Sequence, residues 1–125
     1  DLYDLNSLPY YINQLYAFTC KIDEREEMPL RLFNFLFSHI ELMQNRVIYF
    51  SKIDYYDMSY FVKEIKKIFQ LINICRSYAF KYNYIMEQGE SGVKEKSKIV
   101  ERLCVLSSEY PQFLLQLFEH IENIW

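Results

Sequence analysis

The chain has 125 residues, of which 51% are hydrophobic, enough apolar surface for one domain to build a core without metal ions or disulfides. Its 14 basic and 17 acidic residues give a net charge of -3, which offers no overall field for drawing in nucleic acid or an anionic membrane. No apolar run approaches the ~18 residues of a membrane span, and the N-terminus lacks the basic-then-apolar order of a signal peptide, so a cytoplasmic location is expected.

The first helix is expected to be capped by Asn6 or Ser7, to tolerate Pro9 in its first turn, and to end near Ile22 or Asp23. Leu8, Tyr11, Ile12, Leu15, Phe18 and Ile22 form its stripe. The acids of the stretch Asp23-Glu24-Arg25-Glu26-Glu27 favour the positive end of a second helix entered at Pro29. Phe33, Leu36, Phe37, Ile40, Met43, Val47 and Phe50 carry that helix to about Ser51.

Asp54 or Asp57 is positioned to cap a third helix whose stripe runs from Met58 through Ile65, Ile72 and Ala79 to Met86. At ~29 residues it is expected to be the longest helix and to span ~44 Å. Gly89 and Gly92, the only two glycines, then mark a hinge at residues 87–93. Beyond it Ile99, Val100, Leu103 and Leu106 mark a fourth helix ending near Ser108. Pro111 is expected to open a separate fifth helix, because Tyr110 before it is biased away from helical angles. The expectation is one all-α domain over residues 1–125, an antiparallel bundle of about five helices, four longer and one shorter, with no sheet.

Helices two and three carry apolar residues on more than one face. Leu32, Phe35, Leu42 and Tyr49 form a second row on helix two, broken by His39 and Arg46; Leu71, Ile74, Tyr78 and Ile85 form another on helix three. Helices apolar nearly all round are either central in a bundle or bind something. These eight residues are the candidate contact residues of a non-catalytic interaction or oligomerisation module, with a protein partner or a second copy as the occupant.

The catalytic constellations are thin. His39 and Glu41 lie two apart and do not face each other on a helix. The segment Phe37-Ser38-His39-Ile40-Glu41-Leu42 resembles the phosphoacceptor helix of sensor kinases, but Ile40 intervenes and turns the acid off by another ~100°. A phosphotransfer role for His39 is the alternative from the enzyme class. The residues three before His39 and His120 are Leu36 and Leu117, not the acids a di-iron bundle needs, so no metal or cofactor is expected. His120 with Glu119 and Glu122 reads as a solvated face. Cys20, Cys75 and Cys104 fall on apolar-periodic positions and read as reduced core residues. Lys63, Lys66 and Lys67, with Lys94, Lys96 and Lys98, carry a further alternative, a nucleic-acid-associated regulator, but interleaved Glu64 and Glu95 favour a solvated face and no nucleic acid is expected. No membrane contact is expected of the last helix, where Glu109, Glu119 and Glu122 have the wrong sign for anionic headgroups.

Overall fold

The computed structural model describes residues 7–23, 25–53 and 57–124. Four helices follow in order: α1 Ser7–Lys21, α2 Leu30–Ser51, α3 Ser59–Glu87 and α4 Val93–Ile124. No strand occurs among the described residues. α2 lies against α3, α3 against α4, and α1 against α4, while α1 touches α2 only lightly. Neither diagonal pair makes contact, so the four helices form the corners of an antiparallel bundle.

One spacing rule builds the core. The buried positions are Leu8, Ile12, Leu15 and Thr19 on α1, with Ile22 just past its end, and Phe33, Leu36, Ile40, Met43 and Val47 on α2. On α3 they run from Phe61 through Ile65, Ile68, Ile72, Cys75 and Ala79 to Tyr82; on α4 from Ile99 through Leu103, Leu106, Tyr110 and Phe113 to Leu117. Every series alternates steps of three and four, which keeps one seam on each helix aimed at the bundle axis. Thr19 joins this seam by donating its hydroxyl to the Leu15 carbonyl at 2.7 Å, which satisfies the polar atom within its own helix.

Two expectations are corrected here. There are four helices rather than five, because α4 runs unbroken through Pro111, and at 32 residues α4 rather than α3 is the longest. The proline removes one backbone donor, but Tyr110 and Phe113 on either side of it both sit in the core seam. Burying two aromatic rings outweighs the local preference of a residue before proline. On α1, Phe18 is exposed and Thr19 takes the buried position. Asn6 and Asp54, two proposed caps, lie outside the described residues. The N-cap of α3 is Met58, without a side-chain cap bond, rather than Asp57; one residue earlier, Asp57 Oδ1 accepts from the Ser59 amide at 3.2 Å and the Ser59 hydroxyl at 2.8 Å.

The two interhelix turns at one end are locked together by polar contacts. α3 ends in a Schellman turn: the Gly89 amide donates to the Met86 carbonyl and the Glu90 amide to the Ile85 carbonyl, with Gly89 at φ +76°. Gly92 lies under the Tyr82 ring, where a Cβ would fall 2.6 Å from Cε2. The Tyr82 hydroxyl donates to the Glu26 carbonyl at 3.2 Å, and Asn83 holds the Met28 backbone. Lys96 reaches from α4 to the Ile22 carbonyl at 2.7 Å. These bonds set α1 and α4 in register from this end.

Candidate interaction surface

The second rows of α2 and α3 lie along different seams. Phe35 packs edge-on to Tyr11 of α1, with ring centroids 5.7 Å apart, and lies tilted against the His39 ring at 4.4 Å. The row Leu32, Phe35, Leu42, Tyr49 therefore follows the α1 side of α2. On the other side of α2, Phe37 meets Phe69 of α3 at 5.1 Å and carries the Arg76 guanidinium 3.7 Å above its ring.

The α3 row points toward α4. Lys98 and Arg102 of α4 reach over the Tyr78 ring, at 5.0 and 5.4 Å from its centroid. Leu71 and Tyr78 pack against the core, and Ile74 and Ile85 are half-buried. The long side chains of the two basic residues cover Tyr78 from outside. No single surface joins the eight residues.

Exposure differs between the rows. Leu32 and Phe35 are half-buried against the core, but Leu42 is 44% and Tyr49 67% exposed. Across the lightly packed α1–α2 seam, Phe18 is 43% exposed, two turns on from Tyr11 and so on the same side of α1. Phe18 is the residue that sequence periodicity assigned to the core, and its exposure extends the α2 row onto a second helix.

On the two helices cations outnumber acids, while the turn that joins them carries the exposed acids Asp23, Glu26 and Glu27 close to Lys21 and Arg31. Arg31, one turn before Phe35, Arg46, and Lys21 beside Phe18 are exposed, and none of the three makes an ion pair among the described residues. α1 contains no acid, and the one acid of α2, Glu41, lies one turn on from Phe37 and thus toward α3.

The other candidates are placed as follows. His39 is half-buried against Phe35. His120 packs on Phe61 at 5.0 Å with its Nε2 enclosed and unpartnered among the described residues, rather than on a solvated face. It falls at the core spacing after Leu117, a signal visible in the three-and-four repeat. Asp57 is held below the usual carboxylate range by the Ser59 hydroxyl and amide, with His120 adding a smaller effect. Of the cysteines only Cys75 is buried; Cys20 and Cys104 are exposed, which corrects their assignment to the core. Burial pushes the Cys75 thiol up to about 12. Lys67 pairs with Glu64 at 3.4 Å, and Lys96 and Lys98 serve packing, so the second lysine trio is not a free cationic patch.

Among the described residues no group of three or more His, Cys, Asp or Glu is arranged to hold a metal ion, and no helix is long and apolar enough to cross a membrane. Comparison with protein-family models, curated proteins and solved structures gave no match.

Proposed function

We propose that this chain is a non-catalytic protein-interaction module whose contact surface is the α1–α2 face. The observation that carries the reading is the exposure of Leu42 and Tyr49 in one row with Phe35, flanked by Phe18 across a lightly packed seam. Large apolar side chains that a bundle leaves in water along one groove, rather than singly, mark a docking surface. Aromatic residues and arginine dominate the centre of such surfaces, and both types are present here. The α3 row contributes to the bundle itself, so the proposed contact residues narrow to Phe18, Phe35, Leu42 and Tyr49.

Site-specific photo-crosslinking in cells tests this reading. A photoreactive residue at Tyr49 should give discrete protein adducts that Leu42→Ser abolishes, whereas one at Leu115, exposed on α4, should give none. Equal adduct patterns from both positions, or no adduct from Tyr49, would remove the module reading.

A further inference from the structure

We draw no further inference here: the strongest candidate, the apolar notch walled by Val47 and Phe50 of α2 and by Leu117 and Ile121 of α4, carries nothing because nothing in the structure shows what covers it.

Discussion

Asn83 closes both hydrogen bonds of one backbone residue, Met28: its Oδ1 accepts from the Met28 amide at 2.7 Å, and its Nδ2 donates to the Met28 carbonyl at 3.2 Å. Both residues are buried, so the amide side chain substitutes for a strand partner in a connection that has none. The turn from α1 to α2 is thereby attached to the end of α3. Replacing Asn83 by Ala leaves a buried donor and acceptor unmet and should cost about 2–4 kcal/mol in urea unfolding. Asn83→Asp keeps the acceptor for the Met28 amide and loses the donor, and should also destabilise.

The two glycines differ in why they are needed. Gly92→Ala drives a Cβ into the Tyr82 ring, itself held by the Glu26 carbonyl, and should cost about 2–3 kcal/mol. Gly89→Ala meets no neighbouring atom and suffers only the positive φ, about 1 kcal/mol. Thermal unfolding of the two variants should rank them in that order.

Tyr110 is fully buried and its hydroxyl has no partner among the described residues. Burial holds the phenol well above its usual range. Tyr110→Phe removes a desolvated polar group and keeps the ring that packs on Phe113, so it should stabilise by about 1 kcal/mol, read as a raised urea midpoint with unchanged slope.

The thiols should separate by reactivity. Cys20 and Cys104 should react promptly with a thiol reagent in the native protein, and Cys75 only on unfolding. The raised thiol also sets a pH trend. Between the ordinary value of 9.0 and about 12, the folded state keeps the Cys75 proton and the unfolded state releases it. Stability should therefore fall as pH rises through that window. Tyr110, raised by the same cause, adds to the fall above 10.0. Cys75→Ala and Tyr110→Phe should each flatten the alkaline decline, measured by urea midpoints across pH.

The two apolar rows should respond differently to charge. Leu71→Glu and Tyr78→Glu place a carboxylate against the core or under the Lys98 and Arg102 stems and should cost about 1–3 kcal/mol. Leu42→Glu and Tyr49→Glu meet water and should stay within about 0.5 kcal/mol. Equal losses in both rows, in thermal melts, would assign Leu42 and Tyr49 to the bundle.

Helices α2 and α3 were legible in the sequence because their apolar positions repeat without interruption from Phe33 to Val47 and from Phe61 to Tyr82. The continuity of α4 was not, because the residues around Pro111 carry a local preference opposed to the one set by the core on either side. Phe18 and Thr19 misled for a related reason: hydrophobicity favours Phe, but the three-and-four register places Thr19 inward. The α3 row was read with the α2 row as one surface because spacing along a helix does not say which neighbour covers each flank. Tyr78 is covered by Lys98 and Arg102, residues whose charge suggests a solvent face.

The alternating three-and-four register on all four helices also restricts how this chain can change length. A single inserted residue inside any helix turns everything beyond it by about 100° and carries the inward side chains to the outside. Seven added residues restore the original facing and lengthen the rod by about two turns. Growth or loss of a helix in this bundle is thus quantised, and variation in other amounts is confined to the turns, where Gly92 beneath Tyr82 leaves no room for a side chain.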